Sequence, residues 1–472
     1  MPVKQRNRGM ETIFCGRLES TASPGIPELD RELSAPYITA SYIIRGVKFM
    51  ENILLLLFIV LFTGRFVGRF FLELINNRHL RRHGKEIPAG FEQIIDQQTL
   101  ARMVDYSVER SRLGVKESIA DDFLTLVLTF VLLPALVKAL VGLDVYLIWQ
   151  ALIFFGFFAL LGGIIGAPFD LYEQFVVEKK YGFSTITWRI WVTDLIKSTV
   201  ISAIMLFIVV CALMTFILYL KQSWWLWGWI FFTGFQILLI WLYPVVIAPL
   251  FNKYEPVKDE ALKDKITALM EKAGLKTKGI FQVDEGKRSR HTNAYFTGIG
   301  KTKRIVLFDT LLASHSHEEI LAVLAHEIGH WKKRHIAKQL IFMITGSLAL
   351  LYGVYLAVNW PPLYGAFRLE QTPVYAGLFL VSLYLGTAGF FLGPVGAAIS
   401  RRYEKEADFM ARQLTGTAAP MVDALKRLAK DNLANLHPHP FYAWFYYSHP
   451  PLVQRIEYLK SLDDEKAKKR QE

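Results

Sequence analysis

From Leu321 to Trp331 the chain reads LAVLAHEIGHW, and from Ile336 to Val358 it continues IAKQLIFMITGSLALLYGVYLAV. The first stretch carries two imidazoles and a carboxylate at helical spacing. The second has a single charge, Lys338, and is long enough to cross a hydrocarbon core about 30 Å thick, which takes roughly 20 apolar residues as helix. A polar, chemistry-bearing helix therefore stands at the edge of a membrane crossing.

Working outward, six more stretches of that length and hydrophobicity run approximately over 52–75, 123–142, 145–167, 198–220, 224–248 and 375–399. With 53% hydrophobic residues and a mean hydropathy of +0.28, the chain is too apolar for a soluble domain of its charge content. These features predict an all-α polytopic membrane protein of seven transmembrane helices with a small α+β domain. The expected parts are a disordered leader over 1–49, helices one to five with their loops over 50–249, the α+β domain over 250–335, helices six and seven over 336–400, and a helical C-terminal segment over 401–472.

The leader is polar, contains Pro24, Pro27 and Pro36, and has no signal-peptide pattern; Met50, directly before the first apolar run, reads as the natural start. Spans two and three are joined so tightly, through Leu143 and Asp144, that they should form a hairpin, with Pro134 kinking the first of them. Arg65 and Arg69 inside span one call for a polar interior around its second half.

A net charge of +12 would suit a nucleic-acid partner, but the Lys and Arg cluster between apolar runs, where the positive-inside rule puts them. We expect the lipid bilayer as partner and no nucleic acid. Arg78, Arg81, Arg82, Lys85, Arg102, Arg110, Arg112 and Lys116 fall on one side, with Lys179, Lys180, Arg189, Lys197 and the basic stretches at 250–335 and after 400. That side is expected to be cytoplasmic. Cys15 and Cys211 lie in segments unsuited to meeting, so a metal here must use His and carboxylates.

Within 250–335 the pattern predicts a helix over 259–273, a strand over 280–284, and alternating runs over 292–299 and 304–308 turned by Gly300, Lys301 and Thr302. A helix should follow, capped by Ser314 or Ser316 with Glu318 and Glu319 in its first turn. On that helix His326 and His330 share a face, and Glu327 leans toward it, the H-E-x-x-H arrangement of a catalytic zinc with an adjacent base.

A mononuclear zinc site needs a third protein ligand and an open position. Glu404 follows span seven as closely as His330 precedes span six, and two spans out and back return the chain to the face it left. Asp408, one turn further, can accept the second N–H of a ligating imidazole. Glu406 should be a solvated charge. His335, five residues past His330, would be aimed away by an intact helix, and Trp331 to His335 reads as an interfacial belt. His317, His437 and His439 are expected at the surface.

These residues, with Phe169–Phe183 (FDLYEQFVVEKKYGF), Arg290–Phe296 (RHTNAYF), Lys303–Thr310 (KRIVLFDT) and Tyr447–Pro451 (YSHPP), resemble the CAAX prenyl protease 1 family, integral-membrane zinc endopeptidases related to the HtpX proteases. The resemblance spans nearly everything after Met50. It implies one Zn2+ per chain, an intramembrane chamber, and a peptide or protein substrate, prenylated or not. It further implies that Asn293, Ala294 and Tyr295 form an edge strand for substrate, that His449 hydrogen-bonds the tetrahedral intermediate, and that Arg455 stands close to substrate. The leader is outside the family pattern, and the stretch between Asp309 and His326 lacks the charged insertion of some eukaryotic members. That favours a bacterial inner membrane over an endoplasmic reticulum, with an HtpX-like quality-control protease as the alternative reading. A transporter would need polar centres in broken spans, whereas the polar residues here gather at the H-E-x-x-H helix and the E-x-x-x-D segment.

Overall fold

The computed structural model describes residues 30–276, 279–297 and 304–471. It divides into a unit from Met1 to Met50 and a unit from Glu51 to Glu472. Residues 1–29 of the expected leader lie outside the described residues. From Asp30 onward the chain is already helical, in a helix that runs to His83, so the last part of the leader is not irregular. Extending an existing helix backward costs little per residue, because only its first turn must be nucleated.

Among the described residues, seven helices are long and apolar enough to cross a membrane: Arg45–His83, Gln97–Val141, Leu147–Lys180, Trp188–Tyr219, Trp224–Phe251, His335–Val358 and Val374–Thr415. The expected spans all exist, and several continue well beyond their apolar runs on the side of the H-E-x-x-H helix. Span two starts at Gln97, where Asp96 caps it by accepting from the Thr99 N–H at 2.7 Å. Span seven continues through Glu404 and Asp408 to Thr415 before Gly416, at φ 88°, ends it. Instead of a simple kink, the turn before Pro134 widens into a π-helical segment, Leu128–Leu132. Proline removes an N–H and crowds the preceding turn, and a π turn absorbs both.

The spans pack on one another mainly at the end remote from the motif helix. There Phe58, Leu133, Phe154, Met214, Tyr364 and Tyr375 form a buried core, with the Tyr364 hydroxyl donating to the Val358 carbonyl at 2.8 Å. Nearer the motif helix the spans expose apolar side chains such as Leu160, Ile204, Phe342 and Leu392. The charges in span one find partners: Arg65 pairs with Asp122, and Arg69 donates to Ser118.

The domain after span five is a four-stranded sheet of order β1-β2-β4-β3, with β1 Tyr254–Pro256, β2 Gly279–Val283, β3 Ala294–Thr297 and β4 Arg304–Phe308. The expected turn at 300–302 lies outside the described residues. Strand β1 was not legible, being three residues long, and β2 pairs in parallel with β4. The helix Glu260–Lys272, capped by Asp259, buries Leu262, Ile266, Leu269 and Met270 over the sheet. Beyond span seven, helices Ala419–Asp431, Pro440–Tyr446 and Leu452–Gln471 complete the layer.

Candidate active site

The motif helix is His317–Lys332. Of the two candidate caps, Ser316 is the one used: its hydroxyl accepts from Glu319 N at 3.3 Å, while the Glu319 carboxylate accepts from Ser316 N at 2.7 Å. Arg427 adds a 3.0 Å bond from Nε to the same carboxylate. Burial alone would raise the Glu319 pKa, but the Ser316 backbone N–H and Arg427 outweigh it and hold the carboxyl below its usual value. Leu324, Ala325 and Ile328 bury one face against the sheet, and Ala322 another against the C-terminal helices. The helix is thus clamped at its start and along both flanks, which leaves its histidine face free to be aimed.

That face meets span seven. Gly329 lies against Ala407, so close that a Cβ on the glycine would stand 2.8 Å from the Ala407 Cα. The contact brings three side chains together: His326 Nε2 is 3.2 Å from His330 Nε2, His326 Nε2 is 3.3 Å from Glu404 Oε2, and His330 Nε2 is 3.3 Å from Glu404 Oε1. Ligands of a tetrahedral zinc at about 2.0–2.1 Å stand about 3.3 Å from one another. His326 and Glu404 are buried. Three groups with lone pairs converging at this spacing, one of them a buried carboxylate, fit a divalent metal.

Asp408 lies where the spacing placed it, its Oδ1 2.7 Å from His326 Nδ1. Glu327 is half-buried and makes no hydrogen bond or ion pair among the described residues. His449 is mostly exposed, with Nδ1 2.7 Å from Glu404 Oε2.

Two expectations are corrected, and a third residue has a partner the sequence did not name. Arg455, expected close to substrate, is buried and donates through Nε and a terminal nitrogen to the two oxygens of Asp408, each at 2.7 Å. Burial opposes its charge, but Asp408, then Glu404 and Glu327, hold the guanidinium above its usual pKa. His335 is not aimed away. The motif helix stops at Lys332, Arg334 takes a left-handed φ of 56°, and the new helix starts at His335. The break swings the ring back, with Nδ1 3.1 Å from His330 Nδ1, Nε2 3.1 Å from Glu406 Oε2, and its face stacked on Tyr403 at 4.1 Å. Glu406 is therefore the end of a chain leading to His330 rather than a solvated charge.

The remaining histidines are occupied elsewhere: His317 lies 2.8 Å from Asp259, His437 2.7 Å from the Glu86 carbonyl, and His439 caps the helix Pro440–Tyr446.

Strand β3 is an edge of the sheet and runs beside the motif helix, with Phe296 on Trp331 at 5.0 Å. The Phe308 N–H donates to the Asn293 carbonyl at 3.1 Å. By the alternation of antiparallel ladders, Tyr295 then bonds to β4, while Ala294 and Phe296 turn their backbone groups to the free edge. The Asn293 side chain covers the Ala294 N–H at 2.8 Å. Tyr295 reaches back to the Tyr254 hydroxyl at 3.2 Å, and burial pushes its phenol pKa up. Three residues in front, His291 ties this strand down, 3.1 Å from Glu178 at the end of span three and 2.8 Å from Asn432.

Two family profiles match the chain. The profile described as CAAX prenyl protease N-terminal, five membrane helices, matches residues 76–253, and that of Peptidase family M48 matches 256–463. CAAX prenyl protease 1 of Saccharomyces cerevisiae is 32% identical over 86% of this chain and 96% of its own length. The chain belongs to the CAAX prenyl protease 1 family. The human homolog is 30% identical over 82% of this chain and 91% of its own. Among solved structures, S. mikatae Ste24p superposes with a TM-score of 0.80 at 29% identity, over 86% of this chain and 99% of that one. Like the rest of CAAX prenyl protease 1, this chain is an integral multi-pass membrane protein and a metallopeptidase.

Proposed function

We propose that the chain is a zinc endopeptidase that cleaves prenylated proteins near a C-terminal CAAX sequence. His326, His330 and Glu404 hold the zinc, and Glu327 acts as the base. The observation that carries this reading is the convergence of two imidazole nitrogens and a buried carboxylate at 3.2–3.3 Å, beside a Glu327 with no hydrogen bond or ion pair among the described residues. The basic ends of the spans argue for a catalytic layer on the cytoplasmic side, of the inner membrane in a bacterium or of the endoplasmic reticulum in a eukaryote.

When bound, zinc supplies Lewis acidity that acidifies water and polarises the scissile carbonyl. Glu327 removes the proton of the attacking water and delivers it to the leaving amine. Asp408, itself pinned by Arg455, holds His326 in the ligating orientation, and His335 with Glu406 does the same for His330. His449 donates to the developing oxyanion, a contribution of about 3 kcal/mol for a well-placed donor. An extended substrate adds to the strand containing Asn293, Ala294 and Tyr295, using the edge groups of Phe296 and the Ala294 carbonyl, and the Ala294 N–H when it exchanges Asn293 Oδ1 for substrate.

The test pairs zinc content with cleavage of a farnesylated CAAX peptide and its unprenylated twin, using wild type, Glu327→Gln and Glu404→Ala. One zinc and cleavage are expected in wild type, zinc without cleavage in Glu327→Gln, and loss of metal in Glu404→Ala. Equal cleavage of both peptides would move the substrate class to that of a quality-control protease. Cleavage surviving Glu327→Gln would refute the mechanism.

A further inference from the structure

On the motif-helix side, the ends of the first three spans enclose an open cavity of about 890 Å³. Its walls carry Arg81 from span one, Arg102, Arg112 and Lys116 from span two and Lys180 from span three, against the carboxylates Asp105 and Glu109. Arg102, Asp105, Glu109, Arg112 and Lys116 recur every three or four residues, so one helix face presents them all. Glu109 is already neutralised by Lys180 at 2.6 Å and accepts from the Tyr181 hydroxyl at 2.8 Å, and Arg102 donates to the Tyr181 carbonyl at 3.1 Å. Arg81, Arg112 and Lys116 have no hydrogen bond or ion pair among the described residues.

Depth decides which anion such a cavity meets. Arg81 and Lys116 stand about 9–10 Å of helix beyond the apolar runs of their spans, and Tyr172, about 7 Å beyond that of span three, is half exposed among the lining residues. The polar layer on each side of a bilayer is about 5–8 Å thick, and aromatic residues mark that level. The shallow end of the cavity, at Tyr172, Arg81 and Lys116, is therefore at the outer edge of the headgroup layer, with Arg112, about 16 Å of helix beyond its apolar run, lying further out, on the face where the basic residues collect and where a leaflet is anionic. A general excess of positive charge would satisfy the orientation rule from any loop. Here three cations without a hydrogen bond or ion pair among the described residues, from two helices, outnumber the one carboxylate without one, Asp105, in a single cavity, with Val104, Val108 and Leu113 as apolar lining.

We propose that this cavity docks the phosphate-bearing headgroup of an anionic phospholipid. The site is independent of the peptidase chemistry, since none of its residues belongs to the cluster around His326.

The experiment titrates the full chain, purified in zwitterionic detergent, with dioctanoyl phosphatidylserine, dioctanoyl phosphatidylinositol 4-phosphate, dioctanoyl phosphatidylcholine and inorganic phosphate, read by native mass spectrometry. At least tenfold tighter retention of the two anionic lipids than of phosphatidylcholine is expected, falling tenfold or more in Arg81→Gln/Arg112→Gln/Lys116→Gln. The control removes as much charge outside the cavity, in Arg78→Gln/Arg82→Gln/Lys85→Gln, and should keep the preference. Single Arg112→Gln gives a readout should the triple variant not fold. An equal loss in both triple variants, no preference in wild type, or inorganic phosphate binding as tightly as the lipids would each overturn the proposal.

Discussion

Gly329 of the motif helix faces Ala407 of span seven at a distance that leaves no room for a side chain: an added Cβ would lie 2.8 Å from the Ala407 Cα, 2.9 Å from its carbonyl oxygen and 3.1 Å from the Met410 Cβ. Two of the three contacts are backbone, so the neighbour cannot swing aside. This approach sets the separation between the helix carrying His326 and His330 and the one carrying Glu404 and Asp408.

Gly329→Ala should therefore part the two helices although alanine is the better helix former. A loss of about 1–3 kcal/mol in stability is expected from overpacking, with zinc affinity lowered at least tenfold. Metal content after chelator competition, beside a melting curve, checks it; unchanged zinc retention would contradict the role given to this contact.

His335→Ala and Glu406→Gln remove the support behind His330 without touching a ligand. Losing such a partner costs about 10–100-fold in metal affinity. Competition with a chromophoric zinc chelator should give that loss in His335→Ala and a smaller one in Glu406→Gln, because the glutamine oxygen can still accept from the ring.

His449→Ala should lower kcat by about 10²–10³ with little change in zinc content, as expected for a lost oxyanion donor. A rise in KM at constant kcat would instead mark His449 as a binding residue.

Ala294→Pro removes an edge donor of β3, the N–H that Asn293 Oδ1 covers at 2.8 Å until substrate takes it, while sparing the ladder to β4, since proline is tolerated on edge strands. Steady-state kinetics should show a higher KM for peptide and intact zinc. Unaltered KM would argue against strand addition.

The Glu319 carboxyl has a pKa below its ordinary 4.5, because its bonds to the Ser316 N–H and Arg427 outweigh burial. A depressed folded-state pKa contributes stability that is fully present above about 4.5 and is lost as pH falls through the folded value. Glu319→Gln should cost about 1–3 kcal/mol at pH 7, and the gap from wild type should narrow on acidification below pH 4.5. Thermal melting at pH 7 and at successively lower pH reads this directly.

Much of the architecture was legible because the signals are local. Apolar runs of about 20 residues report spans wherever they occur, and positions four apart share a helix face, so His326, Glu327 and His330 declared themselves. Glu404 and Asp408 were reachable because two spans must return the chain to the same side. Gly329 went unread, although a glycine inside a helix that would otherwise favour alanine is the signal that could have found it. The extensions of spans two, three and seven beyond the bilayer were not legible, since amphipathic turns outside the membrane carry no apolar run.

His335, Glu406 and Arg455 show where sequence reading ended. The direction of His335 depends on a single left-handed residue, Arg334, at φ 56°. No residue-type preference predicts that conformation for arginine; only the angle between the motif helix and span six demands it. Arg455 was expected close to substrate beside His449; its bonds to Asp408 were not legible, because they depend on how the last helix packs under span seven. The sequence by itself determined the seven crossings and the candidate group His326, His330 and Glu404, because hydrophobic length and helical periodicity act over one or a few turns. The tertiary structure alone decided which groups brace those ligands, because bracing depends on how helices far apart in the chain cross, and crossing angles are set by packed side chains and one missing Cβ.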